Sequence, residues 1–366
     1  MRLHDQHLLR IFFRCFFFSA AAFTVLVILG DIGERMDDFI DHQATIWSIL
    51  KYYGFKLPDI LRLTLPLDML LATIFTLGLM GRNNELVALM SSGVSGARIS
   101  APILVVASLT VAGSWFLSEQ LVPRTNRRML EVRRVEIEKR PPLDAPVRRD
   151  FTFRGKKGAL LYVRMLDVRA GRMSGIVLHQ YRDGHLVTRL DAEGADWRDG
   201  VWEFHQVVER RFALEPSTGE LGAGERSERF RDLKVPELPE TPEELARIDP
   251  KPEAMSFDEL RRHAERMRAS GGKVNDYMVD LYTKTSYPFT NLILALLGIG
   301  MVATKRRPSL ATGFSITVAV AFFYLGIVEM ANALGKNEAI SPLVAAWLAP
   351  LVFGTLSVLL LLRANR

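Results

Sequence analysis

Six stretches of this sequence are long and apolar enough to cross a bilayer, and they fall in two sets of three: 11–30, 63–80 and 99–121, then 287–304, 310–333 and 344–362. A helix needs about 20 mostly apolar residues to span the hydrocarbon core, because each residue advances it by only about 1.5 Å. A chain with six such runs must place them in lipid or bury them against one another. The mean hydropathy of only +0.11 hides this, because the charged region between the two sets offsets the apolar ends. The first run follows Arg10 and Arg14 as a signal peptide would, but no small-residue cleavage site follows it. It therefore reads as an uncleaved anchor, with the helix expected to end around Gly30-Asp31-Ile32-Gly33-Glu34.

Lys and Arg in short loops set the orientation of such a bundle. With the N-terminus in the cytoplasm, the cytoplasmic segments hold Arg2, Arg10, Arg82, Arg98, Lys305, Arg306, Arg307, Arg363 and Arg366. The opposite short loops hold Arg35, Lys51, Lys56, Arg62 and Lys336, the first of them diluted by Asp31, Glu34, Asp37, Asp38 and Asp41. Both termini are thus expected inside and the central region outside. That region is Arg-rich, but long domains translocate largely regardless of charge.

The centre changes period. Phe151-Thr152-Phe153, Leu160-Leu161-Tyr162-Val163, Ile176-Val177-Leu178, Leu186-Val187-Thr188 and Val201-Trp202-Glu203-Phe204 are β-branched and aromatic runs, and Asp183-Gly184 and Asp199-Gly200 are tight-hairpin signals between them. Short strands at this spacing predict an antiparallel sandwich, jelly roll or barrel. Thr241-Pro242-Glu243-Glu244 reads as an N-cap, a first-turn proline and a capping-box acid. Ser256-Phe257-Asp258-Glu259 repeats the box and predicts a connector helix over about 256–269, stopped by Gly271-Gly272. The chain thus divides into helices over 1–121, an all-β jelly-roll-like domain with its connector over 122–282, and helices over 283–366.

Chemistry-bearing motifs are few. There is no G-x-x-x-x-G-K-[ST] loop for nucleotide phosphates and no H-E-x-x-H metal helix, and Cys15 is the only cysteine. No catalytic residue, metal or cofactor is expected, and the net charge of +6 reads as topology, not nucleic-acid binding. Gly93-Val94-Ser95-Gly96 has the form of an intramembrane serine-protease motif, but no histidine lies in a span to act as base. Just before it, capping residues Asn83-Asn84 and the first-turn acid Glu85 predict a short helix over 83–92. Its apolar residues Leu86, Leu89 and Met90 either rest on the bilayer and the spans or fit a groove in a partner. Ionisable residues at membrane depth are costly and mark function by default. Arg35, Asp68, Lys284 and Glu329 all fall in or beside the outer half of the spans, where they either line a polar cavity, pair with one another, or snorkel to the interface.

The layout of three spans, a strand-rich insert and three spans resembles the LptF/LptG permeases of lipopolysaccharide export over essentially the whole chain. Glu85-Leu86-Val87-Ala88-Leu89-Met90-Ser91-Ser92-Gly93, Gly272 to Tyr277 followed by Leu281-Tyr282-Thr283-Lys284 and Pro288, and Pro342-Leu343-Val344-Ala345-Ala346-Trp347 carry the likeness, the second stretch leaning towards the G member. The resemblance implies a Gram-negative inner-membrane permease without its own ATPase site, paired with a second homologous six-helix permease and bound to a dimeric nucleotide-binding ATPase. Glu85, Leu86, Leu89 and Met90 would form the coupling helix on that ATPase. The strand domain would pass lipopolysaccharide to periplasmic β-jellyroll bridge proteins, and spans one and five would line the gate. G-type members carry several lysines near the outer end of span one. Here Arg35 is the only base, so Arg35 and Lys284 replace them or the lipid headgroup differs. The rival reading is a membrane-anchored scaffold whose β domain recruits partners by edge pairing without transport.

Overall fold

The computed structural model describes residues 3–142, 146–155, 159–182, 185–214, 221–236, 238–246, 252–269, 273–304 and 310–364. Two compact units emerge. One comprises Met1–Lys139, Lys251–Arg261 and Asn275–Arg366, and the other Arg140–Pro250 and Arg262–Val274.

The first unit is helical. Six of its helices are long and apolar enough to cross a membrane, over His4–Asp41, Ile46–Arg82, Gly96–Ile137, Asn275–Ala303, Thr312–Lys336 and Pro342–Arg363. Helix α1 (Leu3–Asp41) does not stop at Gly30 and Gly33, where the sequence predicts an exit. Each glycine costs a helix about 1 kcal/mol, and packing beyond them overrides it. Phe39 buries against Tyr52 and Tyr53 of α2 (Ile46–Arg82), and Asp31 bonds to Lys56 and Tyr53. After α3 (Glu85–Ser91), α4 (Gly96–Phe116) continues through a π-turn at Leu117–Leu121 into α5 (Val122–Val132) and a second π-turn at Arg133–Ile137. Residues 122–137 therefore belong with the helices, although the composition alone places them with the strands. The return from the strand region runs through α6 (Pro242–Ala246) and α7 (Phe257–Ala269), followed by α8 (Asn275–Ser286), α9 (Thr290–Thr304), α10 (Leu310–Lys336) and α11 (Pro342–Ala364).

Helix α2 is the hub. Met69, Leu70, Leu77 and Met80 are buried in one core with Leu8, Phe12, Ile103, Leu294, Leu297, Tyr324 and Phe353. At Gly298 of α9 an added Cβ would meet Thr73 of α2 at 3.1 Å, so only a small residue allows this approach, as in other membrane bundles. Helices α1 and α10 lie at the edge, exposing Phe17, Phe18, Leu26 and Leu29 on one and Phe322, Phe323 and Met330 on the other.

The second unit is a six-stranded antiparallel sheet in sequential order: β1 (Val147–Arg154), β2 (Ala159–Asp167), β3 (Arg172–Arg182), β4 (His185–Arg198), β5 (Val201–Leu214) and β6 (Leu221–Val235). Every strand pairs with its sequence neighbour, a meander, which narrows the set of sandwich, jelly roll or barrel that alternation alone allows. Asp199 and Gly200 adopt φ of 51° and 80° in the turn that closes Arg198 onto Val201, the type I′ geometry that a residue pair of this kind favours. Asp183-Gly184, Gly271-Gly272 and Lys305-Arg306-Arg307 lie outside the described residues. One face of the sheet is apolar, with Leu161, Val163, Leu166, Leu178, Trp202 and Phe204 fully buried. Trp202 donates its indole N–H to the Glu240 carbonyl at 2.8 Å. Both capping boxes form. Thr241 and Glu244 exchange main-chain N–H bonds at 3.1 and 3.3 Å, and Ser256 and Glu259 do so at 3.0 and 3.3 Å.

Candidate functional site

The segment between α2 and α4 is built tightly. Asn83 ends α2, and its side-chain amide donates to Glu85 Oε1 at 3.2 Å, while Asn84 turns the chain through φ 60° without a side-chain cap. Glu85 then opens the two-turn helix α3. Gly93, at φ 87°, closes it with the Gly93 N–H on Met90 and the Val94 N–H on Leu89, the paired bonds of a Schellman motif. Ser95 caps α4, its hydroxyl oxygen accepting the Arg98 N–H at 3.3 Å, a structural task for this residue.

The apolar residues of α3 split between two faces. Leu86 and Leu89 pack on the bundle core, so they fix the helix in place. Met90, expected beside them, points outward instead and is 59% exposed, with Val87 next to it at 56%. Positions 87 and 90 are one turn apart and form an outward apolar pair, the arrangement with which a short helix enters a groove. Glu85 stands at their leading edge, its Oε2 on His7 Nε2 of α1 at 3.1 Å.

Arg35, Asp68, Lys284 and Glu329 are not brought together: no ion pair or hydrogen bond joins any two of them. Arg35 pairs with Asp31 at 3.1 Å, and Asp31 also takes Lys56 at 2.6 Å and the Tyr53 hydroxyl at 2.9 Å. The guanidinium and the Lys56 ammonium both lie over the Tyr52 ring. This aromatic and ionic nest at the end of α1 is invisible in sequence, where Asp31 reads only as a charge diluting the loop. Asp68 is fully buried, so it does not snorkel, and neither carboxyl oxygen has a well-formed hydrogen bond among the described residues. The Ser19 and Thr64 hydroxyls beside it donate to main-chain oxygens. Lys284 is half-buried among Arg62, Glu119, Asp59 and Asp280 without an ion pair within reach, because Arg62 holds Asp59 and Lys336 holds Asp280. Glu329 is exposed on the outer face of α10.

Glu119, in the first π-turn, was not singled out by the sequence. Its Oε2 accepts the Phe257 N–H at 2.8 Å and so caps α7 from another helix, and Arg127 of α5 bonds Glu259 in the same turn. Below them Met255 and Leu260 bury against Leu281, Tyr277 and Met278.

These features define a polytopic membrane protein in which a short helix is presented between the second and third spans and an all-β domain is inserted between two triplets of spans. The family model for the lipopolysaccharide export system permease LptF/LptG matches residues 6–363, nearly the entire chain. The protein belongs to that family, so it is a permease of lipopolysaccharide export. The match does not separate the F from the G member. No curated protein matches the chain.

Proposed function

We propose that this chain is the inner-membrane permease half of an ATP-driven machine that extracts lipopolysaccharide from the membrane. It works with a second homologous permease and a dimeric nucleotide-binding ATPase on the cytoplasmic side. The observation that carries the proposal is α3. Leu86 and Leu89 weld it to the bundle, while Val87 and Met90 present an apolar pair to the outside behind the acidic Glu85. A helix so held transmits a push to α2 and α4 without moving on its own. The charge asymmetry of the loops supports cytoplasmic termini and a periplasmic β domain, whose sheet hands lipid to β-jellyroll bridge proteins. The exposed apolar sides of α1 and α10 suit a second permease and the lipid between the two. Arg35, Lys284 and Glu329 serve the headgroup end of that cavity, Arg35 only after exchanging Asp31 for a phosphate.

Affinity purification of the tagged chain in mild detergent tests this. Recovery of a nucleotide-binding ATPase and a second six-span protein is expected. Glu85→Ala should then weaken ATPase capture about tenfold, the order of a charge-assisted contact, with the spans still folded. A chain that reproducibly comes down alone, even after crosslinking, would overturn the proposal in favour of a scaffold.

A further inference from the structure

The cytoplasmic end of α1 is tied to both ends of the α3 segment. Asp5, in the first turn of α1, is 5% exposed and receives the Arg98 guanidinium at 3.0 Å from the first turn of α4. Two residues on, His7 reaches Glu85, the first residue of α3, at 3.1 Å. Leu8 and Phe12 follow, both buried in the bundle core, while from Phe13 outward α1 turns large apolar side chains to the exterior. Helix α1 is therefore held at both ends, by these first three turns and by the Asp31–Phe39 stretch on α2, and it exposes most of its apolar surface between them. Two polar links of this anchor, the half-buried Asp5–Arg98 pair and the exposed His7–Glu85 hydrogen bond, run to the short segment bounded by Glu85 and Arg98, while His4 also sits on Asp5 at 3.0 Å.

We infer that Asp5, His7 and Arg98 are positioning residues that make α1 follow α3. The inference rests on the transport reading above. A displacement of α3 by a bound partner is delivered to α1 through two side-chain links, and not through the α1–α2 packing alone. The links differ in weight. The Asp5–Arg98 pair resists separation because breaking it leaves the buried Asp5 carboxylate without its guanidinium, although Arg98 itself stays partly in water. The exposed His7–Glu85 bond contributes little by itself, and it competes for the carboxylate with any basic group that a partner brings to Glu85.

The test uses the full chain and its co-purified complex. In the chain, Arg98→Ala should speed amide hydrogen exchange over the first turns of α1 more than over α2, with some loss of thermal stability because Asp5 loses a partner, and Arg98→Lys should largely restore both. In the complex, Arg98→Ala should lower lipid released per ATP about tenfold, and His7→Ala two- to threefold or about that, with hydrolysis itself retained. Unchanged exchange in Arg98→Ala overturns the inference, and so does faster exchange with normal lipid release per ATP. Failure to recover any ATPase is a different result: it removes the transport reading, and the inference falls with it.

Discussion

Asp68 combines full burial with two carboxyl oxygens that hold no well-formed hydrogen bond among the described residues, although the Ser19 and Thr64 hydroxyls lie beside them, in the middle of the helix on which the bundle is centred. A buried polar group without partners carries a desolvation cost that nothing returns. An unsatisfied buried polar group costs about 1–3 kcal/mol, which an apolar residue of similar size removes. Asp68→Leu is therefore expected to melt at the same temperature as the parent or higher in detergent. If that stable variant no longer supports export, the carboxyl is kept for transport at the expense of stability. A marked fall in melting temperature would instead show that the carboxyl has a structural partner. Glu329 gives the opposite case: it is exposed on α10, so its replacement should leave stability alone and act, if anywhere, on what contacts that face.

At the scale of elements, the first turn of α7 is held from three sides: the Ser256–Glu259 box, Glu119 on the Phe257 N–H, and Arg127 on Glu259. Burial would raise the Glu259 carboxyl, but the Ser256 main-chain N–H and the Arg127 guanidinium outweigh it and hold the group below its usual range. A carboxyl lowered in the folded state adds stability that is complete above its unfolded value, near about 4.3, and is lost as pH falls through the folded value. Protection of the amides at the start of α7, measured against their intrinsic exchange rates, should therefore fall on acidification below about pH 4, and Glu259→Gln should flatten that response. Equal acid sensitivity in Glu259→Gln would place the effect on another group. The sequence made both capping boxes legible, since each is a local four-residue pattern. It also showed the strand cores and the apolar spans, which rest on periodicity. It did not reveal β6, where charged residues Glu225, Arg226, Glu228, Arg229, Arg231, Asp232 and Lys234 dominate and, among the described residues, Phe230, Leu233 and Val235 pack inward. Nor did it show Glu119 capping α7 or His7 meeting Glu85, because contacts 138 and 78 residues apart leave no local trace. Nor does it show that Leu86 and Leu89 turn to the bundle while Met90 turns outward, for a related reason. Seven residues make under two turns, and which side faces the bundle is decided by α2 and α4.

For the whole molecule, the decisive question is sidedness, because the proposed roles of α3 and the sheet require opposite sides of the membrane. Counting Lys and Arg in the short loops predicts α3 inside and the strands outside, and opposite sides require an odd number of spans between them, as the third span alone between Ser91 and the sheet would supply. The natural chain offers a clean background, since Cys15 is its only cysteine. In a Cys15→Ser chain, a cysteine replacing exposed Ser91 of α3 should react with a membrane-impermeant maleimide only after the cells are opened. A cysteine replacing Tyr181, exposed on β3, should react once the outer membrane alone is permeable. The reverse pattern would put the β domain in the cytoplasm and the Glu85 helix outside, where no ATPase could reach it. Labelling of both from one side would mean that one span does not cross, and the first candidate is the third, whose helix runs on through two π-turns before the strands begin. The expected pattern leaves α3 on the side where ATP is hydrolysed and the sheet on the side to which the lipid must go. Those are the two positions that a permease of this kind has to connect.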